Sequence, residues 1–169
     1  ARTAQLVPAE QAEAWQRAFV EVMAVLADHY APKELHEQRT VFHLFGGDFE
    51  RALALAEAAG ELENYAALMQ VLAAYALNRR NLPLAQQRFA AYAAICERQG
   101  REDSVARAYH QLGRVAGGRR DLAAAEGWYR KSLEIKERLG YEHGAASTYH
   151  QLGIVAQERG DFAAAEDWC

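Results

Sequence analysis

Residues 101–140 read REDSVARAYHQLGRVAGGRRDLAAAEGWYRKSLEIKERLG, and a second copy begins at Tyr141 as YEHGAASTYHQLGIVAQERGDFAAAEDWC. The copies start 40 residues apart, and about 16 of their 29 paired positions are identical. The shared residues recur at helical spacing, and a shared aspartate, Asp121 or Asp161, divides each copy in two. The sequence therefore predicts a tandem repeat of a two-helix unit.

The composition narrows the class of protein further. The chain has 169 residues, a formal net charge of −4 and only three prolines. Alanine and leucine dominate, which favours an all-α chain, and the negative charge does not favour a nucleic-acid partner. No apolar run approaches the roughly 20 residues of a membrane span, so no membrane partner is expected. The two cysteines are far apart and predict no disulfide framework, which favours a reducing, cytoplasmic location.

The repeated motif resembles a known family. Each copy contains Tyr-x-x-Leu-Gly-x-x-Ala and then Asp-(Leu/Phe)-x-x-Ala, a pattern similar to the tetratricopeptide repeat, or TPR. The usual TPR has about 34 residues, and the longer unit here resembles the repeats of kinesin light chains and of the sensor arms of bacterial STAND NTPases. The resemblance implies an all-α fold, a right-handed α-solenoid of helix-turn-helix repeats that binds a protein or a peptide.

The chain divides into five predicted segments. The second helix of each repeat is expected to have a capping residue, and these residues are Asp48, Asn81, Asp121 and Asp161. The segments are an N-terminal helix packed on the array (1–32), a degenerate TPR (33–60), two TPRs (61–100 and 101–140) and a TPR truncated in its second helix (141–169).

Two details of the helices are predicted from spacing. One apolar face of the first helix is expected to bury the residues Trp15, Phe19, Val22, Leu26 and Tyr30. A glycine recurs inside the first helix of each clear copy, at Gly113 and Gly153, although glycine costs about 1 kcal/mol there. The simplest explanation is close approach of the partner helix at Ala125 or Ala165.

The family resemblance also implies a binding groove along the first helix of each repeat. The expected groove residues are Gln70, Ala74, Asn78, Arg107, His110, Gln111, Arg114, Ser147, His150, Gln151, Ile154 and Glu158. One TPR class holds C-terminal carboxylates with a Lys/Asn/Asn/Lys/Arg clamp, and this chain has Gln70, Ala74, Gln111, Ser147 and Gln151 there. That ligand class is therefore not expected, although Arg107 and Arg114 suit an acidic or phosphorylated partner.

The sequence offers no catalytic set and no cofactor motif. His110 and His150 recur, but no third Cys or His keeps their register, as a zinc site would need. Cys96 lies on a helix and is expected to be an inert small side chain. The stretch from Gly113 to Gly118 lacks the lysine and serine of a phosphate loop. We therefore expect no enzyme activity, no metal and no cofactor.

The leading hypothesis is a peptide- or protein-binding TPR scaffold, excised from a larger bacterial regulatory protein. Two alternatives stay open: a structural repeat that self-assembles, and a sensor arm for a signalling peptide or a small ligand. Trp128 and Trp168 either anchor a partner or seal the seam between repeats. Because the last helix is short, the sequence also predicts a homodimer through the truncated C-terminal helix.

Overall fold

A computed structural model describes residues 8–168, which form nine helices and no strand. The helices are α1 (Ala9–Tyr30), α2 (Leu35–Leu44), α3 (Gly46–Ala59), α4 (Leu62–Asn78), α5 (Leu82–Arg98), α6 (Glu102–Gly118), α7 (Leu122–Arg138), α8 (Glu142–Glu158) and α9 (Phe162–Asp167). Over these residues the predicted all-α helical repeat fold is confirmed. None of the described helices is both long enough and apolar enough to cross a membrane.

The chain divides into two compact units, whose described parts are residues 8–72 and 73–168. In the first unit, α1 packs mainly against α3, and α2 also packs against α3. The Phe42 and Phe49 rings stack there with their centroids 4.9 Å apart, and Phe49 is completely buried. This aromatic pair joins α2 to α3 and forms the centre of that contact.

The first unit buries a different stripe of α1 from the one that the sequence predicted. Val20, Met23 and Ala27 are buried, whereas Trp15 and Val22 are 58% and 59% exposed. Both stripes have helical spacing, so periodicity does not distinguish them, and the packing of α1 on α3 decides between them. The prediction was wrong for Trp15 and Val22. The other predicted residues are half-buried: Phe19, Leu26 and Tyr30.

The boundary between α2 and α3 also differs from the prediction at Asp48. Helix α3 begins two residues earlier, at Gly46, and its N-cap is Phe45, which makes no side-chain cap bond. Phe45 is also the C-cap of α2, so a single residue separates the two helices. Asp48 therefore lies inside the first turn, where its carboxylate faces the positive end of the helix dipole instead of capping a backbone N–H.

In the second unit the three other predicted capping residues do cap their helices. Asn81 Oδ1 accepts a hydrogen bond from the backbone N–H of Leu84 at 3.4 Å. Asp121 and Asp161 accept from the N–H groups three residues later, each at 3.1 Å. Each bond satisfies one of the unpaired donors of a helix N-terminus. The predictions for these three caps are confirmed.

The helices from α4 to α8 share one length and one kind of connection. Each has 17 residues and begins 20 residues after the last, since the starts are Leu62, Leu82, Glu102, Leu122 and Glu142. Each three-residue connection contains one residue with positive φ. These residues are Arg80, Gly100, Arg120, Gly140 and Gly160. The two arginines adopt φ of 61° without the freedom that glycine has in this region.

Helices α5 to α9 pack one after another around two apolar clusters. The first cluster contains Phe89, Leu112 and Val115, and the second contains Tyr129, Leu133 and Leu152. Trp128 packs against both clusters, and its ring centroid lies 5.3 Å from that of Tyr109. This arrangement agrees with the expectation that Trp128 seals the seam between repeats.

The close approach at Gly113 differs from the predicted one. A Cβ atom at Gly113 would lie 2.5 Å from Cε1 of Tyr129, so the Tyr129 ring, and not Ala125, occupies the space that glycine leaves. A ring can approach this closely only where the helix carries no side chain. The equivalent of Tyr129 in the next copy is Cys169, which lies outside the described residues.

Candidate functional site

The predicted groove residues fall on α4, α6 and α8, as expected from the repeat. On α4, Gln70 belongs to the first unit, while Ala74 and Asn78 belong to the second. Ala74 is half-buried against the first apolar cluster of the second unit, and Asn78 is exposed. The rest of the predicted groove lies on α6 and α8, which belong to the second unit.

Helix α6 carries a polar stripe at spacings of three and four residues. Arg107 donates from Nη2 to Asp103 Oδ2 at 2.8 Å and to Ser104 Oγ at 3.0 Å. Arg114 donates from Nη1 to Gln111 Oε1 at 2.9 Å. The Arg107–Asp103 pair is roughly half exposed, so it contributes little stability and can exchange for another partner.

His110, on the same stripe, connects α6 to α8. Its Nδ1 lies 3.1 Å from Thr148 Oγ1, and its ring centroid lies 5.3 Å from that of Tyr129. Burial, with the nearby charges of Lys136 and Arg114, lowers the pKa of His110 to about 4. The imidazole is therefore neutral at pH 7.

A buried lysine lies behind His110. Lys136, on α7, is only 4% exposed, and its Nζ donates to the Gly144 carbonyl at 3.0 Å and to Thr148 Oγ1 at 2.7 Å. Burial first, and then the charge of Arg107, lower the pKa of Lys136 to about 8. The ammonium is still charged at pH 7, and two neutral oxygens hold it.

A second bond ties α7 to α8 beside the lysine. The buried Tyr129 hydroxyl donates to Gln151 Oε1 at 3.3 Å. Burial raises the pKa of Tyr129 to about 12, against a smaller opposite effect of Arg114. We call the set His110, Tyr129, Lys136, Thr148 and Gln151 the polar floor, because these residues join α6, α7 and α8 beneath the exposed arginines.

The remaining predicted residues on α8 make a simpler surface. Ser147, His150 and Glu158 are exposed, and Ile154 is half-buried. The structure therefore brings His110 and Gln151 into the polar floor and leaves these three polar side chains at the surface. Among residues 8–168, no three His, Cys, Asp or Glu side chains lie close enough together to hold a metal ion.

Sequence reasoning missed Lys136, Thr148 and Tyr129 as parts of this site. Lysine usually lies at the surface, and the family resemblance directed attention to the first helix of each repeat. The repeat itself held a signal, because position 136 corresponds to Cys96 in the preceding copy and Thr148 corresponds to Ala108. A charged residue that replaces a small apolar residue in a repeat register indicates an unusual buried group.

Comparisons with known proteins agree with the fold. Residues 104–168 match the family model for the tetratricopeptide repeat. A solved structure similar to this chain is BtubC (BKLC) from P. vanneervenii, with 24% sequence identity and a TM-score of 0.61. The match covers 96% of this chain and 71% of that chain. A comparison with curated proteins gives no match.

Proposed function

We propose that the second unit is a binding scaffold that holds an extended peptide or protein segment against the polar faces of α6 and α8. The observation that carries this proposal is the polar floor, in which His110 and Gln151 are tied to neighbouring helices and held in place. Side chains that are already fixed lose little conformational entropy when a ligand binds, which favours recognition. The role is non-catalytic, as is typical of TPRs.

The wider context belongs to the same proposal. By resemblance to STAND sensor arms, the scaffold serves a larger bacterial regulatory protein in the cytoplasm, where the partner is a protein or a signalling peptide. No nucleic acid, membrane or cofactor takes part in this proposal. The alternative is a sensor arm that binds a small ligand at the same residues.

Selection of peptides on the purified chain tests the function directly. Display libraries should yield a peptide family that binds wild type and loses binding in His110→Ala, Arg114→Ala and His150→Ala. Gln87→Ala and Glu134→Ala, exposed on α5 and α7, provide matched controls and should bind normally. Peptides that ignore all three groove substitutions, or that respond equally to the controls, would contradict the assigned surface.

A second function, self-assembly, is favoured by one exposed residue. Phe162 is 69% exposed, whereas Leu82 and Leu122, which occupy the same position in the preceding repeats, are half-buried. We propose a homodimer in which a second copy covers Phe162 and the short α9. Light scattering under reducing conditions should give a dimer for wild type and a monomer for Phe162→Glu. A wild-type chain that stays monomeric at high concentration would exclude this interface.

A further inference from the structure

The charge of Lys136 has no counter-ion in the described part of the chain. Its two recorded acceptors, the Gly144 carbonyl and Thr148 Oγ1, are neutral. An ammonium has three donors and no acceptor, so two neutral bonds do not compensate fully for the loss of water. A buried charge without an opposite charge is costly.

The hydrogen bonds of Thr148 leave one nitrogen of His110 without a partner. Thr148 Oγ1 accepts from Lys136 and has a single proton to donate, either to the Gly144 carbonyl at 3.1 Å or to His110 Nδ1 at 3.1 Å. When it donates to Nδ1, the histidine carries its own proton on Nε2. In either arrangement Nε2 has no recorded partner among residues 8–168, so it is available to a ligand.

The charged groups that act on His110 are cationic. Lys136 and Arg114 both act to lower the pKa of His110, and Arg107 acts to lower the pKa of Lys136. The carboxylate beside them is Asp103, which is 57% exposed and paired with Arg107. The chain has a formal net charge of −4, so the local excess of positive charge here is opposite in sign to the net charge of the chain.

We propose that the polar floor is an oxyanion site, which takes a carboxylate or phosphate group carried by an extended peptide. Arg114 and the Nε2–H of His110 donate to the oxyanion, and the Lys136 ammonium beneath them supplies a fixed positive charge. Lys136 is a positioning residue, since it is buried and acts through Thr148 and the local field. This proposal rests on the proposed function, and it names the chemistry of the partner.

The site predicts a link between binding and protonation. The groups recorded against His110 are Arg114 on α6, Lys136 and Tyr129 on α7, and the uncharged Thr148 on α8. Arg107, also on α6, acts on Lys136. His150, the other histidine of α8, is exposed. An oxyanion would offset the cations that keep His110 neutral and would raise its pKa above about 4. Binding should therefore take up a proton between pH 4 and 6.5 and should tighten as the pH falls within that range, while the oxyanion stays ionised.

Fluorescence anisotropy with labelled octaglutamate, at pH 7 and low salt, tests the site. Arg114→Gln and Lys136→Met should each weaken binding by about tenfold or more. Lys131→Met is the matched control, because it removes the same charge from an exposed position of α7 and should change affinity less than about threefold. Circular dichroism checks that each variant is folded. Equal losses in Lys136→Met and Lys131→Met would overturn the proposal, because they would show a non-specific attraction.

Two further measurements identify the oxyanion and distinguish this proposal from the proposed function. A phosphoserine octapeptide that binds more tightly than octaglutamate identifies phosphate, and the reverse identifies carboxylate. Inorganic phosphate should shift the His110 Cε1–H resonance and raise its titration midpoint in wild type, and not in Lys136→Met. A selected neutral peptide that depends on His110 and ignores Lys136→Met would overturn the oxyanion site and leave the scaffold function standing. A phosphate shift without any peptide binding would support the site and contradict the scaffold function.

Discussion

The α5–α6 interface and the α7–α8 interface occupy equivalent places in consecutive repeats, and their buried side chains differ in charge. In the first interface, Cys96 is completely buried and lies beside the phenol of Tyr92, which interacts with Ser104. Burial raises the pKa of the Cys96 thiol, so this group is neutral at pH 7. In the second interface the residue equivalent to Cys96 is Lys136, which remains charged.

The difference shows that one backbone arrangement accommodates two kinds of interior. Both interfaces join helices of 17 residues through a three-residue connection. Thr148 Oγ1 and the buried Gly144 carbonyl supply the acceptors in the second interface. The equivalent residues in the first interface are Ala108 and Ser104. The repeated residues therefore set how the helices pack, and the buried positions that do not repeat set the chemistry of each interface.

The largest effect is expected when the lysine is moved into the neutral interface. Cys96→Lys would bury an ammonium where the equivalent of Thr148 is Ala108, so one of the two acceptors of Lys136 is missing. We expect a loss of about 3–5 kcal/mol in the free energy of unfolding, measured in urea. Cys96→Met is the control for side-chain size. A loss below 1 kcal/mol beyond that control would show that the two interfaces tolerate charge equally.

The next largest effect is the pH dependence of the charged interface. Folding lowers the pKa of Lys136 from 10.5 to about 8, a shift that corresponds to about 3 kcal/mol. Between these values the unfolded chain holds the proton that the folded chain has lost, so stability should rise as the pH increases from 8 to 10. Lys136→Met should remove most of this rise and stabilise the protein at pH 7, whereas Lys131→Met should retain the rise. Identical pH profiles for wild type and Lys136→Met would contradict the burial of this charge.

A smaller effect is expected at Gly113, which packs against the tyrosine of the charged interface. In Gly113→Ala the added Cβ would lie 2.5 Å from the Tyr129 ring, and moving the ring strains its bond to Gln151. We expect a destabilisation of about 1–3 kcal/mol, measured by thermal unfolding. Gly117→Ala meets nothing within 4 Å and should stabilise α6 by up to about 1 kcal/mol. Shifts of the same sign in both variants would refute the close contact.

The smallest effect is expected in the turn between the two interfaces. Arg120 adopts a φ of 61°, where Gly160 stands in the next repeat with a φ of 78°. Arg120→Gly removes the backbone strain at the cost of a more flexible unfolded chain, so we expect a gain of about 0.5 kcal/mol. Arg119→Gly, at a residue in the ordinary helical region, should destabilise instead. A loss of stability in Arg120→Gly would show that the arginine side chain stabilises this turn.

The repeat and its helix boundaries could be predicted because they depend on local chemistry. Asn81, Asp121 and Asp161 cap their helices through bonds to residues three positions away, and a sequence shows such spacings directly. The buried stripe of α1 could not be predicted, because two stripes have the same period and a distant helix selects one. The prediction that Asp48 caps α3 failed for a similar reason. Helix α3 begins at Gly46 and includes Gly47, so Asp48 lies inside its first turn.

The polar floor could be predicted only in part. His110 and Gln151 lie on the first helices of their repeats, where the family resemblance directs attention, and both take part in the floor. Lys136 and Tyr129 lie on the second helix, and their participation depends on how far each side chain reaches between α6 and α8. The length of a lysine side chain allows either a surface or a buried ammonium, and the packing of three helices decides which one occurs.

The regular 20-residue spacing of helix starts from Leu62 to Phe162 has a consequence for how such a chain changes over generations. Two helices and their two connections always amount to 40 residues, whichever residue is counted first. A gene duplication of that length therefore adds one complete helix pair in register, even when its ends fall in the middle of a helix. Recombination need not respect the boundaries of the structural unit, and the array can lengthen or shorten by whole repeats while the new copies diverge at positions such as Cys96 and Lys136.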